Sequence, residues 1–288
     1  MTPASRRAAR RAFGRAAPAY DEHAVLQREV GARLLQHLDP IRIEPRRVID
    51  LGAGTGSFLA ALKGRFPRAA LLAIDAALPM LREVRRRAPW WRRALGAGVA
   101  SLACADAERL PLAAGSAGLV FSNLLLQWCD PAAAFAEAAR VLETGGLFLF
   151  STYGPDTLKE LRGAFAAVDD APHVNAFVDM HDLGDVLVAA GFADPVMEME
   201  TLTVEYADVE SLARDLRRGG GQTVLAGRRP GLGGRARWKR MAERYEAHRR
   251  DGALPATFEV VYGHAWKAAP RTAADGRAIV DFHPRVKR

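Results

Sequence analysis

The chain has 288 residues, 49% of them hydrophobic, enough to bury one core of about 200 residues and still carry an appendage. No apolar run approaches the roughly 18 residues needed to cross a bilayer, and two cysteines, Cys104 and Cys129, supply neither a disulfide framework nor a metal set, so a cytoplasmic protein with free thiols and no membrane contact is expected. The formal net charge of +8 lies in arginine clusters at 6–15, 82–93 and 214–240, which attract polyanions without specifying which one.

In chain order, residues 1–18 are basic and alanine-rich and read as a mobile arm, after which Tyr20 to Leu38 carries Leu26, Val30, Leu34 and Leu38 at helical spacing. This helix is placed to lid whatever binds behind it. Strand and helix then alternate: strands at 47–51, 70–74, 99–104, 118–122 and 146–151, with helices at 56–65, 78–87 and 131–141. Beyond Ser151 the spacing predicts a helix over 155–168, another over 182–190 ending at Gly191, and half-exposed strands at 196–204 and 257–266. Between the last two strands, residues 208–250 read as a helical insertion with glycine-rich hinges at 219–221 and 227–234. The expected organisation is an arm and lid over 1–40, a domain over 41–266 and a basic tail over 267–288.

The segment Val48 to Gly56, V-I-D-L-G-A-G-T-G, carries the strongest functional signal. Glycine at 52, 54 and 56 lets backbone approach a ligand, and the N–H groups of the helix that follows face the same point. A dinucleotide loop would need its third glycine at 57, where Ser57 stands, whereas G-x-G-x-G after an acidic strand end is the pattern of S-adenosylmethionine methyltransferases. Asp75 closes the second strand, where a carboxylate can accept both ribose hydroxyls, and Asp106 follows the third, suited to the adenine amino group. The candidate cofactor residues are Asp50, Gly52, Ala53, Gly54 and Gly56, then Asp75, Ala76 and Met80, then Asp106 and Ala107, and Asn123 after the fourth strand. His23, His173 and His181 lack ligand spacing, so no metal is expected, and His181-Asp182 reads as a helix start. The fold class is α/β, a doubly wound, Rossmann-like, seven-stranded methyltransferase fold with an N-terminal lid helix and a helical insertion before the last strand.

Several longer segments are more selective than the glycine loop: A-F-G-R-A-A-P-A-Y-D-E-H-A-V-L-Q-R-E-V, N-L-L-L-Q-W-C-D, F-S-T-Y-G-P-D-T-L-K-E-L-R, H-V-N-A-F-V-D-M-H-D-L-G-D and V-V-Y-G-H-A-W. Together, from about residue 12 to 267, they resemble the BioC family of malonyl-[acyl-carrier protein] O-methyltransferases of biotin synthesis. The resemblance implies methyl transfer from S-adenosylmethionine to the free carboxylate of a malonyl thioester, carried by an acidic acyl-carrier protein or by CoA. The arginine-rich stretch 214–240 and the Trp90-Trp91 loop lie outside what is carried over.

A malonyl carboxylate is ionised at neutral pH and already nucleophilic, so no general base is needed and positioning is the catalysis. A guanidinium suits a carboxylate through two parallel hydrogen bonds, and Arg162, on the helix after the fifth strand, is the candidate. Tyr20 on the lid and Gln127 after the fourth strand are the other candidate catalytic residues, with Trp128 as a wall. Competing readings are a related hydroxylase or respiratory-complex assembly factor on the same fold, or a basic RNA-associated methyltransferase. A nucleic-acid partner is not favoured, because no N-P-P-Y-like loop and no aromatics interleaved with the basic clusters are found.

Overall fold

The computed structural model describes residues 3–87, 100–219 and 234–269. Its strands are β1 (Arg47–Leu51), β2 (Ala70–Asp75), β3 (Ser101–Cys104), β4 (Ala117–Ser122), β5 (Leu142–Tyr153), β6 (Phe192–Tyr206) and β7 (Leu254–Lys267). They form one sheet in the order β3-β2-β1-β4-β5-β7-β6, parallel from β3 to β5, with β7 inserted antiparallel between β5 and β6. The strand order reverses between β1 and β4, and the crevice that opens at the carboxyl ends of such strands is where open α/β sheets bind ligands.

The helices are α1 (Pro3–Ala16), α2 (Tyr20–His23), α3 (Val25–Gln36), α4 (Leu59–Arg65), α5 (Leu78–Arg87), α6 (Pro131–Val141), α7 (Lys159–Ala166), α8 (Met180–Ala189), α9 (Val209–Arg218) and α10 (Gly234–Glu246). Alternation along the central strands gives the sheet two apolar faces. Ile49, Phe148 and Phe150 pack with Phe135 of α6 and Leu183 and Leu187 of α8, while Val48, Leu147 and Leu149 pack with Val30 and Leu34 of α3 and Leu62 of α4. A third apolar cluster joins α7, α9 and α10 over the far ends of β6 and β7 through Leu161, Leu212, Met241, Tyr245 and Phe258.

The differences from the sequence reading have local causes. The arm read as mobile is α1, whose small residues Ala9 and Ala12 are buried; alanine favours helix but gives no strong apolar signal. The single helix over 20–38 breaks at Ala24, whose φ of −87° and ψ of 39° leave the helical region. The helix expected from 56 starts only at Leu59, because the chain is still turning through Gly56. The helix expected over 155–168 shortens to α7, since Leu158 takes a left-handed φ of 56° and the Asp156 N–H donates to Glu259 (2.6 Å) instead of entering a helix. Helix α8 begins two residues early, capped by Asp179, which accepts from the His181 N–H (2.8 Å). Val99, the Trp90-Trp91 loop, most of the glycine hinges and the tail beyond Ala269 lie outside the described residues.

Candidate active site

The loop leaving β1 is bent by its glycines. Gly52 and Gly56 have φ of 77° and 80°, and a Cβ on Gly56 would stand 2.9 Å from Leu59 Cδ1 and 3.0 Å from Val84 Cγ2, so a side chain there is opposed by both conformation and space. The Gly52 and Ala53 N–H groups donate to Ile74 O at 2.8 and 3.0 Å, which ties the loop to the end of β2. There the Asp75 carboxylate accepts from the Gly54 N–H (3.0 Å) and the Ala77 N–H (2.7 Å). A carboxylate has about four acceptor positions, so capacity remains for two more donors.

Asp50, at the end of β1, is 3% exposed, and its Oδ2 has no hydrogen-bond partner among the described residues. Burial, then the nearby Asp75, push its carboxyl up to about 7. An orphaned acid in such a position is explained if a cation completes it. Two acids and a backbone loop that excludes side chains fit a cationic, ribose-bearing ligand.

These residues line one end of a cavity of about 700 Å3. At that end Asp106, Ala107, Ala76 and Met80 join the glycine loop, and α1 contributes Arg6, Arg10 and Phe13 from above. Phe13 meets Trp128 edge-on with ring centroids 5.2 Å apart. Elsewhere its wall is rich in apolar and aromatic side chains, Tyr153, Leu161, Phe177, Leu202, Leu216 and Phe258, interspersed with polar ones such as Thr157, Asn175 and Asp215, and Tyr153 is held between Phe177 (5.7 Å) and Phe258 (5.9 Å). Tyr20 is also in this wall: its hydroxyl forms no hydrogen bond among the described residues, its ring comes within 3.9 Å of where a Gly54 Cβ would stand, and burial followed by Asp75 raises its pKa.

Not every candidate reaches the cavity with a free group. Asn123 lines it, but its Nδ2 donates to Gln27 O (2.9 Å) and its Oδ1 accepts from the Ser151 hydroxyl (2.8 Å), so it fastens the lid to the sheet. Gln127 also lines it, with Nε2 donating to Leu124 O (2.6 Å) and Oε1 accepting from the Thr152 hydroxyl (3.2 Å). Arg162 is a correction to the sequence reading: it borders a neighbouring recess instead, and its guanidinium donates to Pro155 O (2.8 Å) and Thr157 O (3.0 Å). The fork that suits a carboxylate equally suits two carbonyls of a tight loop. Replacing Arg162 by methionine is therefore expected to loosen residues 155–157 and cost about 1–3 kcal/mol of stability in denaturant titration, with S-adenosylmethionine affinity retained.

Comparison with known proteins agrees with this geometry. The family profile described as Methyltransferase domain matches residues 49–150, which hold the glycine loop and all three strand-end acids. The chain is 52% identical over 283 residues to the malonyl-[acyl-carrier protein] O-methyltransferase of Gallionella capsiferriformans, covering 98% of both chains. With the enzyme of the same name from Laribacter hongkongensis it is 51% identical over 281 residues, covering 96% of this chain and 95% of that one. The chain belongs to the malonyl-[acyl-carrier protein] O-methyltransferase family. It is an S-adenosylmethionine-dependent methyltransferase, and the hydroxylase, assembly-factor and RNA readings are not favoured by these relatives. Among solved structures, the YcgJ protein of Bacillus subtilis superposes with a TM-score of 0.57 at 18% identity, over 82% of this chain and 98% of that one. A Thermotoga maritima S-adenosylmethionine-dependent methyltransferase does so with 0.53 at 20%, over 90% and 99%. At that identity they attest the fold alone.

In this family member several cavity residues escaped the sequence reading. Arg10 and Phe13 lie in an arm without apolar periodicity, and Gln27, whose Oε1 is buried without a partner among the described residues, lies off the apolar stripe of the lid helix. Tyr153 and Phe177 had an aromatic signal but no spacing to connect them. Asp21 anchors the lid: it accepts from the Thr55 hydroxyl (2.5 Å) and pairs with Arg87.

Proposed function

We propose that the chain methylates the free carboxylate of a malonyl thioester borne by an acyl-carrier protein, with malonyl-CoA as the smaller alternative substrate. The observation that carries this reading is one cavity lined both by the acid-bearing glycine loop and by the aromatic side chains of Tyr153, Phe177 and Phe258, with Tyr20 also in its wall. When bound, S-adenosylmethionine supplies an electrophilic methyl group on a sulfonium. Asp75 is assigned to the ribose hydroxyls, Asp106 to the adenine amino group, Asp50 to the ammonium of the methionine portion, and the loop residues Gly52 to Gly56 to backbone contact. Met80 and Ala107 wall the adenine, and Tyr20 orients the acceptor.

The residues do little covalent work. The acceptor is already an anion, so no side chain needs to remove a proton. The aromatic wall excludes water from the carboxylate, which raises its reactivity toward a cationic methyl donor, and attack in line with the carbon–sulfur bond neutralises both charges. Methyl ester formation converts an ionised end into a neutral one that apolar surroundings accept. On this reading the chain acts at the start of biotin synthesis, in the cytoplasm, and the exposed arginines of α9, Arg214, Arg217 and Arg218, are compatible with docking of an acidic carrier protein.

The test is an incubation of the protein with S-adenosylmethionine and malonyl-carrier protein, followed by intact mass measurement. A gain of one methyl, lost again on mild alkaline hydrolysis, is expected for malonyl- but not acetyl-carrier protein. No gain with either malonyl thioester rules the reading out.

A further inference from the structure

We infer that Arg28 is the side chain that receives the malonyl carboxylate, a binding role in the acceptor site that rests on the function proposed above. Arg28 lies on the first turns of α3, beside Gln27, whose carbonyl is held by Asn123 above the end of β4. Across the break at Ala24 the Arg28 guanidinium donates to the Asp21 carbonyl of α2, the residue after Tyr20, and both Arg28 and Tyr20 line the cavity. Two residues of one short lid segment, a half-buried phenol and an exposed cation, thus line the same cavity.

Several of the other basic side chains lining the cavity already have acidic partners. Arg6 pairs with Glu108, and Arg33 with Glu29 (2.8 Å) and Glu200. His23 faces Asp215 (3.8 Å) and His173 bonds Asp169 (2.7 Å). Arg7 and Arg10 belong to α1, which covers the cofactor end, and Arg10 lies within electrostatic reach of Asp75. Among the described residues Arg28 pairs with no acid, which leaves most of its N–H groups for an anion. Its positive charge also eases ionisation of Tyr20, which places the two groups in electrostatic contact.

The charge balance of the reaction determines what such an arginine contributes. Negative charge on the acceptor falls as the methyl is transferred, so a guanidinium stabilises the bound substrate more than the transition state. Arg28 therefore provides selection and affinity more than rate, and its hold weakens once the ester is neutral.

The experiment compares wild type, Arg28→Gln and Arg28→Lys for binding of malonyl- and acetyl-carrier protein in the presence of S-adenosylhomocysteine, alongside steady-state kinetics with S-adenosylmethionine. The two thioesters differ only in the carboxylate. For Arg28→Gln, malonyl binding should weaken by roughly 10- to 100-fold, as for loss of a charge-assisted hydrogen bond, with acetyl binding unchanged. KM should rise by a similar factor while kcat changes by less than about threefold, and lysine should recover part of the loss. Equal weakening of both thioesters, or malonyl binding at wild-type strength, overturns the assignment. A wild-type protein that binds S-adenosylmethionine yet forms no methyl ester overturns instead the functional reading on which it rests.

Discussion

Asp50→Asn is expected to produce a protein that is more stable without cofactor and much poorer at binding it. A carboxyl whose pKa in the fold is pushed up to about 7, against an ordinary value of 3.8, binds more protons in the folded than in the unfolded state at intermediate pH. Stability therefore falls as pH rises from about 4 to about 7, by on the order of 4 kcal/mol, and it stays low above that range. Asparagine removes the buried charge at nearly constant volume. At pH 8 the ligand-free variant should melt about 5 °C or more above wild type. Affinity for S-adenosylmethionine should drop about 30-fold or more, because the ammonium assigned to Asp50 Oδ2 loses its counter-ion. Titration calorimetry across pH gives a second signature: wild-type affinity should weaken as pH falls through 7, and the variant should lose that dependence. Unchanged affinity at pH 8 would remove Asp50 from the cofactor site, and unchanged melting would refute the buried charge.

Gly31→Ala should unseat the lid. A Cβ at this position on α3 would stand 2.0 Å from Phe58 Cζ, inside the ring that follows the glycine loop and packs against Phe121 with centroids 5.6 Å apart. No rotamer of alanine relieves this, so either α3 rises from the sheet or Phe58 is displaced into the turn that shapes the cofactor loop. Overpacking of this kind costs about 3 kcal/mol, which for a chain of this length lowers the melting temperature by about 5 °C. Cofactor affinity should fall with it, since the Thr55 hydroxyl of that loop is bonded to Asp21 of the lid. Adding Phe58→Leu to Gly31→Ala should restore much of both, because the smaller side chain vacates the space. Wild-type melting and affinity in Gly31→Ala would show that the close packing of lid on loop is unimportant.

The family resemblance and the acid after each of the first three strands point to the acid-lined end of the cavity from the order of residues alone. The reason is that a glycine loop and the strand-end acids facing it are local: residues near in sequence, at ends set by alternation, make the same pocket. Helix boundaries are less legible wherever a distant group competes for the backbone. Glu259 of β7 takes the Asp156 N–H that a helix from 155 would have used internally, and the 103 positions between them leave no local signal.

The parallel strand-and-helix core, the glycine bend between Asp50 and Gly56 and the acids that face it are all written in the order of residues, because period, strand ends and chain reversals are properties of neighbours. How the cations are shared out is settled only when the chain is folded. Arg162 has the chemistry to hold a carboxylate but spends it on the carbonyls of Pro155 and Thr157, whereas Arg28, unremarkable on its helix, is brought beside Tyr20 by the break at Ala24. A guanidinium binds whichever oxygen the fold carries within about 3 Å, and a partner chosen by three-dimensional proximity leaves no periodicity to read.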